Sequence, residues 1–314
     1  MYSLIIPVYK NEDSIPYLVA ALLSLNHELN GNVEVVFVVD GSPDHSHACL
    51  REALTEAGLR AQLLLLARNF GSFAAIRAGL SVACGPFFAV MAADMQEPME
   101  LIRDFFISLE NEPIDVVIGA RESRDDPWFS RICSQTFWYL YRQCVISDMP
   151  KGGVDVFGCN LAFRDQLLAL DESHTSLVGQ LFWLGFRRRV IGYRRLTRQH
   201  GKSAWTFRKK FKYLLDSLFA FTDLPVRILI GIGGIGLLVS LVAGMVVITA
   251  KLFGWIDVPG YAATMLTVLF FGALNTFGLG LIGSYAWRTY ENTKRRPLSI
   301  TLMNETFPKP PQPE

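Results

Sequence analysis

What most constrains this chain is the alternation, through residues 1–121, of short apolar β-rich runs with longer stretches of helical spacing. "SLIIPVY" and "NVEVVFVVDGS" each end in turn chemistry, and between them "SIPYLVAALLSLNHEL" repeats its apolar residues at helical intervals. The pattern continues with a helix near residues 45–57, a strand at "AQLLLLA", a helix at "SFAAIRAGLSVA" and a strand at "PFFAVMAA". A helix "PMELIRDFFISLE" and a strand "DVVIGAR" complete it. Strands separated by helices of this length are joined by right-handed crossovers into a mostly parallel sheet flanked by helices. In such sheets ligands bind beyond the carboxyl ends of the strands. Asp40, Asp94 and Arg121 fall at or just past predicted strand ends, so they are expected to converge on one rim.

The stretch "VMAADMQEPMEL" shows the pattern at its sharpest, an apolar run that empties into Asp94, Gln96, Glu97 and Pro98. Asp94 with Gln96, facing Asp40 from another strand, suits a nucleotide and a divalent ion, because a hard cation takes oxygen ligands and keeps other positions for phosphate and water. Taken alone, an Asp-x-Gln pair reads by default as a solvated strand end.

After Arg227 the composition changes. Residues 228–250 and 261–287 are almost free of charge, and each exceeds the ~20 residues a helix needs to cross ~30 Å of hydrocarbon. Two transmembrane helices are predicted; the soluble alternative is a buried core hairpin. Arg208, Lys209, Lys210, Lys212 and Arg227 precede the first span, and Arg288, Lys294, Arg295 and Arg296 follow the second, while only Lys251 and Asp257 lie between. By the positive-inside rule both termini are cytosolic and "KLFGWIDVPG" is an outer hairpin. In "AWTFRKKFKYLLDSLFAF", Phe207, Phe211, Leu214, Leu218 and Phe221 form a stripe with the cations largely off it. This predicts an amphipathic interfacial helix, the alternative being a helix packed on the soluble domain. "RICSQTFWYLYRQCV" is a weaker candidate for the same role, and "FPKPPQPE" is expected to be disordered.

The formal net charge of +1 says little, because the cations are grouped at Arg187–Arg189, Arg194–Lys202, Arg208–Lys212 and Lys294–Arg296. The cysteines Cys49, Cys84, Cys133, Cys144 and Cys159 are dispersed without a CxxC pair, which points to a reduced compartment and away from zinc. "MYSLIIPVYKNE" has no basic leader and too short an apolar run for a signal peptide, so the first domain is expected to stay in the cytosol.

Six segments in order, "IIPVYKNE", "FVVDGSPD", "ARNFGSFAAIRAGL", "MAADMQEP", "PKGGVDVF" and "RQHGKSAWTFRK", followed by two predicted spans, resemble the family 2 glycosyltransferases. The resemblance is to the branch of dolichol-phosphate mannose synthase and the bacterial polyprenyl-phosphate glycosyltransferases, and it covers about residues 2–300. It implies an α/β fold: a GT-A nucleotide-sugar-binding domain at residues 1–203, an amphipathic interfacial helix at 204–226, a two-helix transmembrane hairpin at 227–288 and a cytosolic tail at 289–314. It implies that Pro7, Tyr9 and Glu12 line the nucleotide pocket with Asp40 near the base or ribose. Asp94 and Gln96 match the second acid and the glutamine of the family's "DADLQDP" motif, which holds Mg²⁺ or Mn²⁺ on the donor diphosphate. Arg121 and Arg131 match phosphate-receiving arginines. Arg198, Gly201, Lys202 and Ser203 match a basic stretch expected to close over the phosphates, as arginine's planar fork allows. Asp155, with Asp94 and Arg198 in the catalytic set, is implied either as general base or as a residue that orients an arginine; a structural role beside the two glycines is the third option. His200 reads as a loop residue or phosphate donor rather than a catalyst.

Departures from the family are specific. Its "DDGS" is here Val39-Asp40-Gly41-Ser42 and its "DAD" is Ala92-Ala93-Asp94, so the first acid is missing from both, and Ser72 stands where relatives often have lysine. Fewer anionic ligands weaken a metal site, which leaves a metal-poor site as the alternative. The activity implied is inverting transfer of one sugar from a UDP- or GDP-sugar to a polyprenyl phosphate such as undecaprenyl phosphate. It would take place at the cytosolic face of a bacterial inner membrane, for cell-envelope glycan assembly. The partners implied are the donor, the lipid phosphate, membrane lipids and a second copy of the chain, with no nucleic acid. Transfer to a lipid-linked glycan hydroxyl is an alternative, although the Q(Q/R)xRW motif of processive synthases is absent. An inactive membrane-tethered nucleotide-binding scaffold is a second.

Overall fold

Apolar, often branched runs make the central strands, and glycine or polar turns close them. The computed structural model of the chain describes residues 1–123, 142–143, 146, 148–150, 154–172, 175–196, 216–217, 219–222, 224–253 and 260–308. Strands β1 (Tyr2–Val8), β2 (Val33–Val39), β3 (Ala61–Leu66) and β4 (Phe87–Val90) are parallel, with β1 between β2 and β4. Beyond β4 lie β6 (Val154–Asn160), β5 (Val116–Ser123) and β7 (Arg188–Arg194), and beyond β3 lies β8 (Thr301–Phe307). The eight-stranded sheet runs β7-β5-β6-β4-β1-β2-β3-β8. Because β6 is antiparallel to both β4 and β5, while β7 is parallel to β5, strands β5 and β7 point the same way as β4. The sheet is mixed, mostly parallel as expected, with β6 and β8 reversed.

The crossovers are α1 (Ile15–Glu28), α2 (Ser46–Ala57), α3 (Ser72–Val82) and α4 (Met99–Asn111), followed by α5 (Leu161–Ala169) and α6 (Leu177–Trp183). Strand side chains alternate between faces, and β2 divides two cores accordingly. Val35, Phe37 and Val39 join Leu18 of α1, Leu50 of α2 and Phe105 of α4, whereas Val36 and Val38 join Ile76 of α3, Phe163 of α5 and Leu181 of α6. On the second face α3 and α5 cap each other. Arg77 donates to the carbonyls of Leu167 and Leu168 at 2.7 and 3.0 Å, and Arg164 donates to those of Leu80 and Ala83 at 3.2 and 3.4 Å. Each arginine thus donates to carbonyls at the other helix's C-terminal end.

The predicted spans fall within two long helices, α7 (Leu224–Leu252) and α8 (Tyr261–Thr293). Among the described residues, however, no helix is long and apolar enough to cross a membrane. The chain after α8 returns to the sheet: β8 pairs antiparallel with β3, buries Phe307, and joins Arg51 to Glu305 at 3.0 Å. Residues 301–307, expected within the cytosolic tail, therefore cover a sheet edge. The described part of the predicted interfacial helix packs on protein. Phe219 meets Tyr285 of α8 edge-on at 5.2 Å, and Asp216 accepts from Arg288 at 2.8 Å. Phe221 lies against Gly179 of α6, where a Cβ would come within 2.2 Å of its ring.

Candidate active site at the carboxyl edge of the sheet

Strand order locates the site before any side chain is considered. From β1 the chain steps through β2 and β3 on one side and to β4 on the other. The crossover loops therefore diverge between the carboxyl ends of β1 and β4, leaving a crevice of the kind in which open α/β sheets bind ligands. Residues 9–12 form one wall and residues 92–97 the other. Ser14 Oγ donates to the Ala93 carbonyl at 3.1 Å across its base.

The first wall is laced to the loop after β2 by one carboxylate that the sequence reading did not single out. Asp44 accepts from Ser42 Oγ at 2.5 Å, Ser46 Oγ at 2.8 Å, and the backbone N–H groups of Ser46 and Glu12 at 3.3 Å. Burial raises the Asp44 pKa, but these four donors outweigh it and hold the carboxyl below its ordinary value. Glu12, expected in the nucleotide pocket, accepts from the His45 N–H at 2.8 Å. Lys10 N donates to Ser42 Oγ, and Tyr9 N donates to Asn11 Oδ1. Pro7 lies within β1. The signal for Asp44 was present in "DGSPDHS", an aspartate flanked by two serines at the start of α2, which is an Asx-type turn pattern.

Asp40 is only 2% exposed, and its two carboxylate oxygens accept the N–H groups of Phe70 and Gly71 at 2.7 and 2.8 Å. Its place on the rim is as expected, but these bonds use it to hold the loop before α3. Gly41 follows with φ +54°, and a Cβ there would come within 2.3 Å of the Arg68 carbonyl carbon. Only glycine meets both demands.

The second wall carries Asp94, Met95 and Gln96. Met95 has φ 54°, an uncommon conformation for a residue with a side chain. Gln96 is nearly buried, and its amide is engaged. Oε1 accepts from Arg195 Nη2 at 2.6 Å, Nε2 donates to the Leu196 carbonyl at 3.3 Å, and the Gln96 carbonyl accepts from Leu196 N at 2.9 Å. Arg195 and Leu196 directly follow β7, so Gln96 fixes the root of the segment leading to Arg198. In sequence Arg195 is one of a basic group at 194–202, and nothing local distinguishes it.

These contacts bear on the expected Mg²⁺ or Mn²⁺. Position 92 is alanine, the Gln96 oxygen is committed to a guanidinium, and among the described residues no group of three or more His, Cys, Asp or Glu is placed to hold a metal. The residues present do not fit the acid-acid-amide set that the resemblance implies; Asp94 is its one remaining carboxylate.

Arg121 lies near the carboxyl end of β5, and Asp155 lies at the start of the reversed strand β6, beside the irregular pairing of Ala120 with Val154. The topology brings the backbones of both to the rim that carries Asp94. Arg131, Arg198, His200, Gly201, Lys202 and Ser203 lie outside the described residues, as does the side chain of Asp155.

Comparison with known proteins agrees with this geometry. The family model described as "Glycosyl transferase family 2" matches residues 3–170. The putative glycosyltransferase CsbB of Bacillus subtilis is 30% identical over 95% of this chain and 90% of its own length. The prophage bactoprenol glucosyl transferase homolog of Escherichia coli is 29% identical over 95% and 97%. The undecaprenyl-phosphate 4-deoxy-4-formamido-L-arabinose transferase of Proteus mirabilis is 30% identical over 94% and 91%. Among solved structures, the mannosyltransferase PcManGT of Pyrobaculum calidifontis, in complex with GDP-Man and Mn²⁺, superposes with a TM-score of 0.50 at 14% identity, covering 92% of this chain and 84% of its own, which supports the GT-A-like fold. On the family match and the near full-length relatives together, the protein is a glycosyltransferase of family 2, in the branch whose members include those named for sugar transfer to bactoprenol or undecaprenyl phosphate.

Proposed function

We propose that this glycosyltransferase moves one sugar from a UDP- or GDP-sugar to a polyprenyl phosphate, with inversion at the anomeric carbon, at the cytosolic face of a bacterial inner membrane. The observation that carries this reading is the crevice between β1 and β4, which has residues 9–12 on one side and Asp94, Gln96 and a clamped arginine on the other. The near full-length relatives named for lipid-phosphate acceptors support the choice of acceptor.

The acceptor chemistry is simple. A phosphomonoester has a second pKa of about 6, so its attacking oxygen is already largely ionised at neutral pH. That oxygen gives its electron pair to the anomeric carbon. The bond from this carbon to the donor diphosphate breaks, and its pair leaves with the nucleoside diphosphate. No proton need be abstracted, so Asp155 acts by orienting its neighbours. The larger contribution is stabilisation of charge on the departing diphosphate by fixed cations. Arg121, Arg131, Arg198 and Lys202, with the Ser203 hydroxyl, are assigned to the phosphates, and Asp94 to holding the donor in register with them.

A lipid acceptor presents its phosphate at the headgroup plane. Residues 204–226 are assigned to that plane and residues 227–288 to a two-helix hairpin through the bilayer. Supporting this, α7 and α8 bear outward-turned apolar side chains, among them Ile235, Leu238, Met245 and Leu279. The Asp216–Arg288 pair ties the far end of α8 to the segment before α7, and β8 joins the catalytic sheet, which supports a hairpin with both ends on one side.

The test is incubation of membranes containing the chain with radiolabelled nucleotide-sugars and undecaprenyl phosphate, followed by organic extraction. Label should pass into the lipid phase in proportion to added undecaprenyl phosphate. Absence of any such product across a broad donor panel would refute the reading.

A further inference from the structure

Resting on the nucleotide-sugar reading above, we propose that Arg195, clamped by Gln96, supplies the positive charge for the donor diphosphate at the end of β4, in place of the divalent ion that the resemblance implies. Gln96 is then a positioning residue and Arg195 the group that meets the ligand.

Three bonds make the clamp: Arg195 Nη2 to Gln96 Oε1 at 2.6 Å, Gln96 Nε2 to the Leu196 carbonyl at 3.3 Å, and Leu196 N to the Gln96 carbonyl at 2.9 Å. They hold residues 195 and 196 against the strained turn at Met95, on the crevice wall that carries Asp94. One edge of the guanidinium is thereby used. Its Nε is buried and has no hydrogen-bond partner among the described residues. A buried N–H on a charged group is costly to leave unmade; Arg195 as a whole is half-buried, and an anion that reaches its guanidinium gains short, charge-assisted bonds. Arginine's planar fork suits the paired oxygens of a diphosphate better than a point charge does.

The chain's departures from its family point the same way. Valine at 39 and alanine at 92 stand where the family pattern has acids, and Arg195 places a cation beside the second of these positions. A guanidinium on Gln96 Oε1 also occupies the oxygen a metal would use and repels a dication approaching it. Missing carboxylates and a fixed positive charge both weaken a metal site, and both strengthen a site for a diphosphate without metal.

Titration calorimetry of the full-length chain in detergent with UDP, GDP and their sugars, in EDTA and in Mn²⁺, tests this. Wild-type protein should bind its nucleotide in EDTA, with Mn²⁺ changing Kd by less than about threefold. Arg195→Met should weaken binding in EDTA roughly tenfold or more, the size expected for one charged hydrogen bond. Arg195→Lys should fall between, and Gln96→Ala should weaken binding while leaving the cation in the chain. Wild-type binding that disappears in EDTA would overturn the proposal while leaving the glycosyltransferase reading intact, and it needs no variant. Unchanged affinity in an Arg195→Met protein with a wild-type melting curve would overturn it as well. If wild-type protein binds no nucleotide in either condition, the donor assignment itself fails, and this proposal with it.

Discussion

Replacing Glu34 by leucine tests whether the amino end of the sheet is held by a buried charge. Glu34 is 2% exposed and accepts from Ser3 Oγ at 2.7 Å, Cys84 N at 2.9 Å and Gln62 Nε2 at 2.9 Å. Leucine fills similar space but strands those donors. A buried donor left without a partner costs about 1–3 kcal/mol. The Gln62 amide keeps a bond to the Val82 carbonyl, so its loss is partial; Cys84 N loses its acceptor outright. Release from burying a carboxylate offsets part of the total. The net is about 2–4 kcal/mol, or a fall in melting temperature of roughly 5–15 °C for a domain of this size. Thermal unfolding of the detergent-purified chain, followed by circular dichroism, measures it, and nucleotide affinity should survive because the site lies at the opposite edge. Acidity provides a second arm through Glu34→Gln. Burial pushes the Glu34 pKa up, but the bonds from Cys84, Gln62 and Ser3 outweigh it and bring the folded value below the ordinary one. Its contribution is therefore complete above the unfolded carboxyl pKa of about 4.3 and is lost as pH falls from there through the folded value. The advantage of wild type over Glu34→Gln should shrink in that window. A leucine variant melting within 2 °C of wild type, by order of magnitude no effect, or a gap that widens on acidification, would refute the reasoning.

Two further outcomes bear on the site. Asp94→Ala should lower transfer to undecaprenyl phosphate about 100-fold or more, whereas Asp155→Asn should cost clearly less, because an ionised phosphate needs no base; an Asp155→Asn loss equal to that of Asp94→Ala, in the same radiolabel extraction assay, would favour a hydroxyl acceptor. Gly41→Ala should weaken donor binding and lower the melting temperature together, since its Cβ cannot coexist with the Arg68 and Asn69 backbone at the present spacing; calorimetry and a melting curve check both.

Much of the fold was legible because its causes are local. Alternation of two periodicities predicts parallel strands, and a strand such as "NVEVVFVVDGS" announces its own burial and its own end. Asp40 and Asp94 could be placed on one rim because every strand–helix–strand unit sends its strand end to the same edge. The sense of β6 could not be read this way. It follows a long segment after β5 whose weak helical pattern does not dictate the return, and only pairing with β4 and β5 decides its direction. The strand β8 was equally hidden: "TLMNETF" is mostly exposed, and it is a strand because β3, hundreds of residues earlier, has an open edge to fill.

By itself the chain of residues determined the layered α/β architecture, the candidate rim at the carboxyl ends of the strands, and the loss of an acid from each of two motifs. Only the tertiary structure decided what the surviving polar groups do: Asp40 ties the loop before α3, Asp44 laces two loops into one wall, and Gln96 holds an arginine ninety-nine positions away in sequence. The reason is physical. Periodicity and turn chemistry act between neighbours along the chain, whereas a buried carboxylate or amide is satisfied by whichever donor the packed fold brings within about 3 Å, and no spacing in the sequence encodes that meeting.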